Sequence, residues 1–126
     1  MSQLLEVTLP RDKTCASVAR RAVERRLRDE LDTGTLQDVK LVVTELVDNA
    51  YIHGRGEMML RLGRQDGRLR LEVSDEGENV RIRIRQPGPD GGGNGLRLVD
   101  LLSAKWGAVD ERAHVWAELS LSRTTS

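Results

Sequence analysis

The chain has 126 residues, 32% of them charged, with Lys and Arg balancing Asp and Glu to a formal net charge of zero. That length suits one domain with one real core, and the charge balance supplies no global field to draw it to nucleic acid or a membrane surface. Aromatic residues are nearly absent (Tyr51, Trp106 and Trp116, with no Phe), so the core is expected to be aliphatic and stacking platforms for single-stranded nucleic acid are missing.

Cys15 is the only cysteine, which excludes an internal disulfide and a cysteine-based metal cluster. No apolar run approaches the ~20 residues of a membrane span, and the N-terminus lacks a signal-peptide pattern. The expectation is one cytoplasmic domain over residues 1–126, with no membrane, no direct nucleic-acid contact and a frayed tail at about 121–126.

In chain order, Leu5, Val7 and Leu9 alternate with Glu6 and Thr8 in a half-buried strand ended by Pro10. Asp12 reads as the N-cap of a helix running to about Leu31, with Cys15, Val18, Ala19, Ala22, Val23, Leu27 and Leu31 inward. The same spacing makes Cys15 a small core residue rather than a nucleophile. Its outer cluster of Arg20, Arg21, Arg25, Arg26 and Arg28 is interleaved with Glu24, Asp29 and Glu30, which suits a solvated face.

The stretch TLQDVKLVVTELVDNAYIHG, Thr35 to Gly54, reads as an amphipathic helix. Thr35 with Asp38 is a capping-box variant, and Gly54 stands where a C-terminal cap would. Leu36, Val39, Val43, Leu46, Val47 and Ala50 form its core stripe. Glu45 and Asn49 are four apart, so an acid and an amide share a face at the edge of the hydrophobic layer.

Two strands follow, alternating through Met58, Leu60 and Leu62 and then Leu69, Leu71 and Val73, with Asp66-Gly67 as the hairpin turn. The second strand runs into Ser74-Asp75-Glu76-Gly77. Val80-Arg81-Ile82-Arg83-Ile84-Arg85 alternates strictly. Five glycines and two prolines between Pro87 and Gly95 then predict a loop. GLRLVDLLSAKWG predicts a short helix offering Leu96, Val99, Leu101 and Leu102 for burial. Val115, Ala117, Leu119 and Leu121 alternate in a final strand. The fold class is α+β: a two-layer sandwich, its sheet mixed and mostly antiparallel, helices on one face. Arg68, Arg70, Glu72, Glu118 and Ser120 are expected to face solvent on the other.

Three features carry chemistry. A glycine-rich loop opening into a helix places free N–H groups and the helix dipole where an anion binds. The Asn49 oxygen suits magnesium among phosphate oxygens, and Glu45 suits proton transfer beside a terminal phosphate. Asp75, at a strand end, suits a base amino group. Neither GxxxxGK[ST] nor GxGxxG is present.

The order ELVDNAYIHG, SDEG, GGGNGLRLVDLLSAKWG and HVWAEL resembles the small ATP-binding proteins of the GHKL superfamily, over nearly the whole chain. Within it the likeness is to bacterial anti-sigma factors that are also serine kinases, the SpoIIAB/RsbW-like group. The resemblance implies ATP or ADP with magnesium as cofactors, Glu45 as general base and Asn49 as the magnesium ligand. It also implies Asp75 on the adenine amino group, Gly77 shaping that wall, and Gly93, Gly95 and Leu96 on the phosphate side. His53 falls at the helix end, where the family pattern also has histidine; capping and ligand contact both suit it. Implied partners are a sigma factor, a STAS-type anti-anti-sigma protein phosphorylated on serine, and a second copy of the chain. Two departures stand out. Asn79 replaces the last glycine of the family's DxGxG motif, and no basic residue directly precedes the GGGNG run. A contact-only regulator that has kept or lost nucleotide is the alternative.

Overall fold

Eight elements make up the computed structural model, which describes residues 2–77, 94–109 and 114–121. They run β1 (Ser2–Leu9), α1 (Cys15–Leu27), α2 (Thr33–His53), β2 (Met58–Gln65), β3 (Arg68–Ser74), α3 (Asn94–Leu102), β4 (Lys105–Val109) and β5 (His114–Ser120). The five strands form one sheet in the order β1-β2-β3-β5-β4, and every pairing is antiparallel. Among the described residues the sheet is therefore antiparallel rather than mixed. The three helices pack on one face, α1 against β1, α2 across β2, β3 and β5, and α3 against β4.

The alternation seen in the sequence decides which face is covered. Met58, Leu60, Leu62, Leu69, Leu71, Val73, Val115, Ala117 and Leu119 are all buried beneath the helices. Asp66 and Gly67 both take positive φ, 51° and 74°, as a tight hairpin turn matching the twist of its strands requires. From α2 come Val39, Val42, Val43, Leu46, Val47 and Ala50, all within the same cluster. Val42 joins the stripe, while Leu36 is only half-buried.

On the uncovered face, Arg70 binds Glu72 and Glu118 at 2.9 and 3.0 Å and lies over the Trp116 ring at 4.3 Å. Arg68 and Arg61 pair with Glu118 and Glu6. Such pairs contribute roughly 0–1 kcal/mol each, whereas truncating one buried leucine costs about 2–5 kcal/mol. The helix-covered face holds the fold together.

Several expected boundaries shift. α2 starts at Thr33, capped by Asp32, whose Oδ1 accepts the Thr35 N–H at 2.7 Å. The Thr35/Asp38 box is not its start. Thr14 is the N-cap of α1; Asp12 instead accepts from the Thr14 N–H and hydroxyl in a turn just ahead of the helix. α1 ends at Leu27 rather than Leu31, with one further turn in which the Leu31 N–H reaches the Leu27 carbonyl. Within α3, Val99 is buried and Leu102 packs on the core, but Leu101 is 72% exposed. Lys105–Val109 is a strand rather than the end of that helix. The Ala104 N–H reaches the Glu118 carbonyl at 2.7 Å, drawing the chain into the sheet straight after α3. The Val80–Arg85 alternation, the glycine-rich loop through Gly93 and the tail after Leu121 lie outside the described residues.

Candidate functional site

The polar flank of α2 follows from its register. With Val42, Leu46 and Ala50 turned to the sheet, Glu45 and Asn49 fall one turn apart beside them. Asn49 is only 7% exposed, and its side-chain Nδ2 is buried with no hydrogen-bond partner among the described residues. Buried amides are almost always satisfied, so this donor is one that a ligand's acceptor would suit. Glu45 is half-buried, and burial pushes its carboxyl above the ordinary range, with the charge of Asp48 adding to the shift. Burial likewise raises Asp48, which Arg20 partly offsets.

Asp48 was not singled out in the sequence. Its signal was there: it sits three residues after Glu45, so the two acids share an edge of the helix. A carboxylate raised by burial is a stronger proton acceptor, and an amide oxygen is a hard ligand of the kind magnesium takes. The orphan N–H of the same amide suits a phosphate oxygen. These residues fit a magnesium–nucleotide group: Asn49 would hold the ion and Glu45 would take a proton near it.

Asp75 stands directly after β3, 5% exposed. Its Oδ1 accepts the Gly77 N–H at 2.6 Å and the Arg55 N–H at 3.4 Å. The Glu76 N–H meanwhile donates to the Arg55 carbonyl at 2.8 Å. The end of β3 is thereby tied to the residues that follow α2, and Gly77 fixes the carboxylate. Gly54, the C-cap of α2, lies against that same carboxylate. Asn49 is five residues earlier, about 7 Å along the helix axis. The fold thus brings Asn49 and Asp75 to one end of α2.

Gly95 and Leu96 fall in the first turn of α3, which packs on α2. Gly93 lies outside the described residues. His53 is exposed at the end of α2. Cys15 is buried, and its thiol is pushed up by burial, as suits a core residue. Two of the five arginines of the α1 cluster are engaged: Arg26 donates to the Leu4 carbonyl at 2.9 Å and Arg20 to the Thr44 hydroxyl at 3.1 Å. Among the described residues no three His, Cys, Asp or Glu side chains gather as a metal nest, and no helix is long and apolar enough to cross a membrane.

An antiparallel sheet under three helices, with an acid–amide pair on the central helix, is the frame of a GHKL-type ATPase fold. The chain belongs to the histidine kinase-like ATPase domain family, whose model matches residues 9–118. The NMR structure of the histidine kinase domain of the E. coli osmosensor EnvZ is similar at 17% identity and a TM-score of 0.48, over 100% of this chain and 94% of that one. No curated protein matches.

Proposed function

We propose that this protein is an ATP-binding anti-sigma factor that also phosphorylates an anti-anti-sigma protein on serine. The observation that carries the reading is the pair on α2: a half-buried Glu45 with a raised carboxyl, one turn from the orphan amide of Asn49. In this reading ATP or ADP binds with magnesium on Asn49, Asp75 accepts from the adenine amino group, and Gly77 holds Asp75 in place. Gly93, Gly95 and Leu96 supply backbone on the phosphate side. Glu45 takes the proton from the acceptor serine as phosphoryl transfer proceeds.

The partners are a sigma factor, held away from RNA polymerase, and a STAS-type antagonist that receives the phosphate. A homodimer and a cytoplasmic setting complete the proposal. Support comes from family membership over residues 9–118 and from the motif order. The contact-only alternative draws on Asn79, which stands where the family has glycine, and on the lack of a basic residue directly before Gly91. Labelled ATP with magnesium, incubated with candidate anti-anti-sigma proteins, separates the two. Phosphoserine on an antagonist supports the kinase. Sigma-factor binding without any phosphoserine supports the contact-only regulator.

A further inference from the structure

Gly54 takes φ −95° and ψ −162°, extended backbone open to any residue, so conformational freedom does not explain a glycine there. Space does. A Cβ at Gly54 would fall within contact distance of every carboxylate heavy atom of Asp75, 2.6 Å from Oδ1 and nearer still to Cγ and Oδ2. Asp75 is short, 5% exposed and anchored through Oδ1 to the Gly77 N–H, so it has no slack with which to swing aside.

Gly107 is likewise held by space, against the Trp116 ring at 2.9 Å, whereas three other glycines differ. Gly67 has positive φ and nothing near its missing Cβ, and Gly34 has only an ordinary contact with Asp32 at 3.7 Å. Gly56 abuts Glu76, but its φ of 72° already calls for glycine.

We infer that Gly54 is a positioning residue for nucleotide-base recognition: its missing side chain lets the Asp75 carboxylate seat against the end of α2. This rests on the reading that Asp75 accepts from the adenine amino group. Hydrogen bonds weaken steeply with misalignment, so a carboxylate displaced by a methyl group loses the base while the phosphate side of the site is left alone.

The test compares ATP with inosine triphosphate, which lacks the amino group, in magnesium titrations of the wild type and Gly54→Ala. The wild type is expected to favour ATP by about tenfold or more, the size of one hydrogen bond to a charged acceptor. Gly54→Ala is expected to bring the two nucleotides within about twofold, with inosine triphosphate affinity nearly unchanged. General damage to the fold would weaken both alike, and that result, or a retained preference, overturns the proposal. A wild type without preference defeats the adenine reading of Asp75 itself, and the proposal with it.

A nucleotide-free check isolates the contact. Gly54→Ala should lower the melting temperature in the wild type, yet be neutral or mildly stabilising on an Asp75→Ala background, where the methyl group has room. Equal losses in both backgrounds would show that the two residues do not compete for that space.

Discussion

The carboxylate of Asp75 and the backbone N–H of Gly77 meet at 2.6 Å, so the chain leaving β3 folds back onto its own side chain. That bond presets the acceptor before any ligand arrives. Magnesium with ATP should raise the melting temperature of the wild type, because a ligand that binds only the folded state stabilises it by mass action. Asp75→Asn keeps the shape and loses the charged acceptor, so the shift at millimolar ATP should vanish. Differential scanning fluorimetry of both proteins reads this, and an equal shift in the variant would remove Asp75 from the base site.

Across β3 and β5, His114 Nε2 lies 3.1 Å from Glu72 Oε1, and Arg70 holds the other oxygen at 2.9 Å. The bond to His114, opposed by burial and helped by Arg70, draws the Glu72 carboxyl from its ordinary 4.5 to about 2. The folded value lies below the unfolded one, so folding favours the ionised form. Its contribution is present above about pH 4.5 and is lost as pH falls toward about 2. Glu72→Gln should therefore lower stability at neutral pH and flatten the acid limb between those values. Melting curves across that range check it; an unchanged slope would mean the pair is not coupled to folding.

Asp32 sets where α2 begins. Asp32→Ala should cost about 1 kcal/mol, the ordinary loss for an N-cap, read from urea midpoints. A neutral substitution would place the cap elsewhere.

Much of this architecture is legible in the chain because periodicity reports burial directly. The β2–β3 hairpin and the stripe of α2 have the residues that the alternation and the three- and four-residue spacing demand. What escapes is decided by tertiary contacts. Lys105 to Gly107 reads as the end of a helix, yet these residues open β4 because β5 supplies a ladder of partners. Leu101 has the right residue type, but the heptad-like spacing turns it outward while Val99 takes the core. Thr35 reads as the start of α2 in the sequence, yet the geometry gives the cap to Asp32. Gly54 does end α2, and what keeps it a glycine is in no local pattern: the Asp75 carboxylate, just after β3, occupies the space of its side chain.

Burial already disfavours the charge on Glu45. The folded value lies above the unfolded one, so at neutral pH the ionised group detracts from stability. Glu45→Gln should thus leave the melting temperature unchanged or slightly raised. A clear loss of stability would mean that the carboxylate makes a supporting contact.

The central claim is that α2 presents a base and a metal ligand one turn apart to the same nucleotide. ATP affinity with magnesium and the rate of phosphoryl transfer to an anti-anti-sigma protein, measured side by side for Glu45→Ala and Asn49→Ala, test it most directly. Glu45→Ala should bind ATP nearly as the wild type does and lose transfer by roughly 10²–10⁴-fold. Asn49→Ala should lose magnesium-dependent binding and transfer together. Normal phosphorylation by Glu45→Ala, or magnesium-dependent ATP binding that survives Asn49→Ala intact, would contradict the account.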